Sequence, residues 1–209
     1  MKIIEVVAPV YKSDAEFYAG GKELYQQYRA AFPRWPEQVA KDIYNQTQPG
    51  TNPDIMTPIK NGADPKQVFL DYFTGKKLGQ TGQDALTGLN TAQLTAALTK
   101  GTWSEEVLTV NPGDFAAHTL NKMKQRNFLR TAGPDEDPVR IARGRQFAQA
   151  TAATGNNEPV TLIRTREKKL VLWEGWHRTM SILALGDNGN ADPTKWDKVK
   201  LKAFVCENW

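Results

Sequence analysis

The residues best suited to chemistry stand in one run, Glu174-Gly175-Trp176-His177-Arg178-Thr179. Leu170 to Trp173 before it is a short apolar stretch that suits a buried strand, and Thr179 to Leu185 after it suits a helix that stops at Gly186. A strand that turns through glycine into a helix leaves the first-turn N–H groups open, and glycine lets a ligand approach that backbone closely. The chemistry this supports is anion binding, with phosphate as the candidate ligand and Arg178 and His177 as added donors. Glu174 is the nearest acid or base. It suits a structural pair with a neighbouring arginine equally well, and His177 suits either acid–base work or a backbone hydrogen bond. Trp176 fits stacking on a nucleobase and fits covering the helix; both readings stand. Arg140, Arg143, Arg164 and Arg166 belong to a concentration of positive charge in the same third of the chain. They are candidate phosphate or nucleic-acid contacts, although solvated faces of a helix and a hairpin would look the same.

The elements that must position this turn precede it directly. Val139 to Thr154 has a helical pattern, Gly155 follows, Glu158-Pro159 leads into a strand from Val160 to Arg164, and a charged turn at Arg166 to Lys169 returns the chain into Leu170. This order of helix, glycine, Pro-Val strand, hairpin, strand and Gly-Trp-His-Arg turn resembles the ParB/sulfiredoxin superfamily. The resemblance covers roughly Glu105 to Val205 and is best over Val139 to Leu185.

The resemblance implies an α+β fold, with a small mixed β-sheet of ParB/sulfiredoxin type. It also implies that Gly175, His177 and Arg178 hold nucleotide phosphates, flanked by Trp176 and Thr179. The implied cofactor is a nucleoside triphosphate with Mg²⁺, ATP as in sulfiredoxin or CTP as in partition proteins. Sulfiredoxin carries its catalytic cysteine where this chain has Trp176, so sulfinic acid reduction does not carry over. Partition proteins continue into a helix-turn-helix domain, for which the residues between Gly186 and Trp209 leave no room. Other relatives are kinases acting on small metabolites or modified DNA bases, and some are nucleases. The expected function is therefore phosphoryl transfer with Glu174 and His177 as catalytic groups, and the competing reading is a DNA-binding module or nuclease.

Composition narrows the setting. At 209 residues the chain can bury an ample core, and no run approaches the roughly 20 apolar residues of a membrane span. Met1-Lys2-Ile3-Ile4-Glu5 is too short in apolar residues for a signal peptide, and a single cysteine, Cys206, excludes an intramolecular disulfide and suits a reducing cytoplasm. The histidines, His118 and His177, are too few for a legible metal site without paired cysteines. A formal charge of +4 tolerates a nucleotide or nucleic-acid partner without requiring one.

The chain before the sheet reads as a mainly helical extension, residues 1–103, joined to an α/β domain of residues 104–209. Lys2 to Val10 suits a strand, and Ser13 to Glu16 has capping-box spacing for a helix towards Phe32. Tyr18, Leu24, Tyr25, Tyr28 and Phe32 form an aromatic stripe that favours a core face over a base-stacking platform. Helices are also expected over Glu37 to Asn45, from Asp64-Pro65 with Val68, Phe69, Tyr72 and Phe73 inward, and over Thr91 to Lys100 after Asn90. Gln46 to Asn61, with three prolines, reads as a long loop, and Lys76 to Leu89 as a second that lacks phosphate-loop spacing. Val107 to Val110 suits a strand, Asp114 the cap of a helix towards Arg126, and Lys198 to Cys206 a half-exposed strand.

Overall fold

A computed structural model describes residues 22–47, 52–74, 87–109, 111–125, 158–176, 178–179, 182 and 200–209. The expected strand Lys2 to Val10, the Ser13 capping box, the helix Val139 to Thr154, and the side chains of Arg140, Arg143 and His177 lie outside these residues. The fold is α+β, with a four-stranded mixed sheet among the described residues. It divides into two compact units, Met1–Thr81 and Gly82–Trp209.

The first unit is built from α1 (Lys22–Ala31), α2 (Glu37–Thr47), α3 (Pro53–Lys60) and α4 (Pro65–Phe73). Its centre is Tyr28, fully buried among the rings of Phe69 at 5.0 Å, Tyr44 at 5.2 Å, Phe32 at 5.6 Å and Trp35 at 6.0 Å. The stripe from Leu24 through Tyr25 and Tyr28 to Phe32 is therefore core, and Tyr18 lies outside the described residues. Burial raises the Tyr28 phenol well above its ordinary pKa, and its neutral hydroxyl donates to the Ala40 carbonyl at 3.1 Å. Helix α3 occupies much of the expected loop. Asn52-Pro53 is a helix start here: the Asn52 side chain accepts from the Asp54 N–H at 3.0 Å, and Pro53 stands at a position whose N–H would have no helical partner. In α4 the buried residues are Val68, Phe69, Leu70 and Phe73, with Leu70 taking the inward place expected for Tyr72.

The second unit contains α5 (Thr91–Lys100), β1 (Thr102–Thr109), α6 (Ala117–Gln125), β2 (Val160–Arg164), β3 (Leu170–Glu174) and β4 (Lys200–Glu207). The strand order is β1-β4-β2-β3; β4 is antiparallel to β1 and parallel to β2, and β2 and β3 form an antiparallel hairpin. The three strands expected from Val160, Leu170 and Lys198 thus share one mixed sheet. Strand β1 is twice the expected length because it pairs with β4 all the way from Thr102 opposite Glu207 to Thr109 opposite Lys200. An edge strand of this kind keeps a polar outer face and shows no long apolar run. Asp114 ends a short 3₁₀ turn instead of capping a helix. The reason is that the next residues are drawn to β3, with Phe115 bridged to Leu170 and the Ala116 N–H donating to the Leu170 carbonyl at 2.9 Å.

One face of the sheet carries the main apolar cluster, in which Val160, Leu162, Leu172, Leu201, Ala203 and Val205 meet Phe115 and Met123. Cys206 points to the other face and donates to the Ala97 carbonyl of α5 at 3.3 Å. Burial pushes its thiol up to about 12, so at neutral pH it is a neutral packing group and not a nucleophile. No helix among the described residues is long and apolar enough to cross a membrane.

The Tyr28 cluster yields a graded test. Tyr28→Phe removes one hydrogen bond and is expected to cost about 1 kcal/mol, whereas Tyr28→Ala empties the ring site and is expected to cost about 3 to 5 kcal/mol. Urea unfolding of the full chain followed by near-ultraviolet circular dichroism distinguishes them; similar small losses for both would mean that the ring does not centre the core.

Candidate functional site

The β2–β3 hairpin brings two carboxylates to one end of the sheet. Thr161 pairs with Glu174, so Glu158, three residues earlier, leaves β2 beside the point where Glu174 ends β3. The chain then passes through Gly175, whose φ of +91° lies in the left-handed region that side chains disfavour. A Cβ there would also lie 2.8 Å from Cγ1 and 2.9 Å from Cβ of Val160. Glycine is required twice over, by its backbone angle and by the contact. The residues after it are helical, at Trp176, Arg178, Thr179 and Ile182, and the Thr179 N–H donates to the Gly175 carbonyl at 2.8 Å.

One turn into this helix, Arg178 folds back over the strand ends. Its guanidinium donates to Glu174 at 2.5 Å and to Glu158 at 3.2 Å. The Glu174 side chain is 8% exposed and that of Arg178 14%, whereas Glu158 is 55% exposed. The pair Glu174–Arg178 is thus desolvated and charge-balanced, and Glu158 adds a solvent-facing negative charge. Thr179 is fully buried, and among the described residues its hydroxyl has no hydrogen-bond partner. Trp176 belongs to the apolar cluster with Leu172 and Ile182, which matches the helix-covering reading of this residue.

The basic residues divide. Arg164, at the far end of β2, is bound by carboxylates: it forks onto Glu106 at 3.2 and 2.8 Å and reaches Glu207 at 2.8 Å. The fork onto Glu106 is the main reason its guanidinium is held above its ordinary pKa, and the same bonds hold the Glu106 carboxyl below its ordinary value of 4.5. Arg164 therefore ties β2 to β1 and β4. Arg166 is exposed in the hairpin turn, at the opposite end of the hairpin from Arg178. Of the expected site, the structure brings together Glu174, Gly175, Arg178 and Thr179. It adds Glu158, which the sequence offered only as the residue before a Pro-Val strand. Counting back along the hairpin from the Glu174 position would have found it.

No group of three or more potential metal-ligating side chains exists among the described residues. Comparison with protein-family models, with curated proteins and with solved structures found no match for this chain.

Two outcomes are expected from this geometry. Gly175→Ala should cost about 2 kcal/mol or more, because it combines a disfavoured backbone angle with a steric overlap. Adding Val160→Ala should relieve the overlap and leave the angle, so the double variant should be less destabilised than the two single losses added. Strict additivity in urea midpoints would show that the Gly175–Val160 contact does not carry the cost. Glu106, whose folded pKa is depressed, contributes stability that is present above its ordinary value of 4.5 and lost as pH falls through the lower folded value. Glu106→Gln should therefore lower stability at pH 7 and flatten its decline between neutral and acidic pH; an unchanged acid profile would remove Arg164 from the electrostatic tie.

Proposed function

We propose that the Glu174–Thr179 turn binds the phosphates of a nucleoside triphosphate, ATP or CTP with Mg²⁺, and that the chain transfers a phosphoryl group to a small metabolite or nucleic-acid-linked acceptor. The observation that carries this reading is the convergence of Glu158 and Glu174 on Arg178 beside a left-handed glycine that opens a helix. The order of elements supports a ParB/sulfiredoxin-like core for the second unit, on the motif and the hairpin rather than on any matched relative.

The donor set fits a Mg-nucleotide. Mg²⁺ takes one or two carboxylates together with substrate phosphates and waters, and the solvent-facing Glu158 would supply one beside the turn. When bound, the ion supplies neutralisation of charge on the transferring phosphoryl group. Arg178 supplies a planar fork for phosphate oxygens, and it exchanges carboxylate partners for phosphate without leaving the turn. The Glu158 bond is the easier one to exchange, since an exposed pair is screened and contributes little. Glu174 is the base nearest the turn. In transfer, a new bond joins the acceptor oxygen to phosphorus, the bond to the leaving diphosphate breaks, and the acceptor hydroxyl's proton passes to Glu174.

Calorimetry with Mg-ATP and Mg-CTP tests the reading. Arg178→Gln should lower affinity by about one to two decades, and a urea melt of the same variant separates that loss from instability caused by the uncompensated Glu174. Glu174→Gln should keep binding and lose turnover. A wild-type protein that binds neither nucleotide, or that binds DNA in a salt-sensitive way without nucleotide turnover, would sink the proposal.

A further inference from the structure

A cleft of about 290 Å³ lies in the Gly82–Trp209 unit at the hairpin-turn end of β3. It is separated from Glu174 by the length of that strand, roughly 13 Å at about 3.3 Å per residue. Its floor is apolar, with Leu89 and Val171 buried, and Trp209 presents an indole to it. Its polar lining includes Arg166, Lys169, His118 and Gln93.

The walls are tied in place from several directions. The turn is closed by the Thr165 N–H to the Lys169 carbonyl at 2.8 Å and the Lys168 N–H to the Thr165 carbonyl at 3.0 Å. The Trp209 indole N–H donates to the Arg164 carbonyl at 3.1 Å, which fixes the ring against the base of the hairpin. The Lys169 ammonium donates to the Gly113 carbonyl and keeps further N–H groups. Gly88, with φ of +70°, runs so close to His118 that a Cβ would stand 2.8 Å from the histidine Cβ, so the glycine seats the imidazole at the cleft. The Glu167 carboxylate accepts first from its own backbone N–H and then from the Thr165 hydroxyl, which engages it with the turn. Arg166 is exposed beside Glu167, and its charge also helps to hold the Glu167 carboxyl below its ordinary value.

Charge and shape together select the ligand. Arg166 and Lys169 place two cations on the lining, enough to meet one carboxylate, and the Glu167 carboxylate between them in the turn disfavours a triphosphate. An apolar floor beside an indole suits a flat apolar body. We propose that this cleft binds a small planar organic acid with one carboxylate, its charge met by Arg166 and Lys169 and its ring laid against Trp209, with His118 and Gln93 as further polar contacts. The site is independent of the phosphate turn.

The full chain, labelled for indole N–H spectra, is titrated with benzoate, cyclohexanecarboxylate and inorganic phosphate. Benzoate should shift the Trp209 indole resonance, assigned with Trp209→Phe, and should bind more tightly than the other two. Arg166→Ala should weaken benzoate roughly ten- to a hundredfold, since it removes a charge-assisted contact from an exposed position. Ala117→Phe, which adds a ring to the cleft from the exposed first turn of α6, should abolish binding. Arg178→Gln should leave benzoate binding unchanged while it removes nucleotide binding, which keeps the two proposals separate. No Trp209 shift at millimolar benzoate, wild-type affinity in both Arg166→Ala and Ala117→Phe, or tighter binding of phosphate than of benzoate would each overturn the assignment.

Discussion

The second unit's turn depends on a close approach of two backbones. Gly175 passes Val160 with no room for a Cβ, at a φ of +91° that sends the chain from β3 into a helix directly beside the start of β2. Val160 is itself fixed by parallel pairing to Ala203 of β4. The helix therefore begins at one place relative to the sheet, and Arg178 returns to the strand ends where Glu158 and Glu174 emerge. A bulkier residue at Gly175 would move the helix, and with it the guanidinium that reaches both carboxylates.

Two arginines on this hairpin show how position decides what a charge does. Arg164 meets carboxylates from two strands, Glu106 of β1 and Glu207 of β4, with side chains of all three between 20% and 29% exposed. These partners are anchored by ladder hydrogen bonds and hold Arg164 as a structural tie. Arg178 meets one buried and one exposed carboxylate, and the exposed one lies outside the strands. A desolvated pair is costly to break, whereas an exposed pair is nearly free to exchange. Arg178 thus combines a fixed anchor with an exchangeable contact.

The two units solve burial differently. In the helical unit, rings surround Tyr28, and aromatic edges and faces supply contact area with few rotatable bonds. In the sheet unit, small and branched aliphatic residues on alternate positions of β2, β3 and β4 form the cluster, and Phe115 before α6 and Met123 within it cover it. Periodicity together with helix-start signals such as Asp64-Pro65 and Asn90 distinguishes these cores, which is why the helices Glu37–Thr47, Pro65–Phe73 and Thr91–Lys100 and the three strands β2, β3 and β4 were legible in the sequence. What was hidden had a local signal overruled by pairing or capping. Prolines at 53 and 58 read as loop punctuation, yet Asn52 caps a helix there with Ile55 buried at its centre. Thr102 to Glu106 has no strand pattern, yet the whole segment pairs with β4.

The site was legible in part for the same reason. Glycine at a strand-to-helix turn is a backbone requirement, and a backbone requirement shows in the residue type itself. The roles of charges do not. Arg164, Arg166 and Arg178 are indistinguishable by type and nearly so by spacing, and their separation into strand tie, exposed turn cation and partner of Glu158 and Glu174 follows from register. Arg164 points to the face and end of the sheet where Glu207 lies, Arg166 falls in the turn, and Arg178 stands one helical turn after Glu174. Glu158 acquires its place only when Thr161 is known to face Glu174. Register is a tertiary quantity, set by the bulge between Thr161 and Leu162 and by the five-residue turn, so a sequence can state which charges are present but needs its pairing to state which of them can meet a ligand.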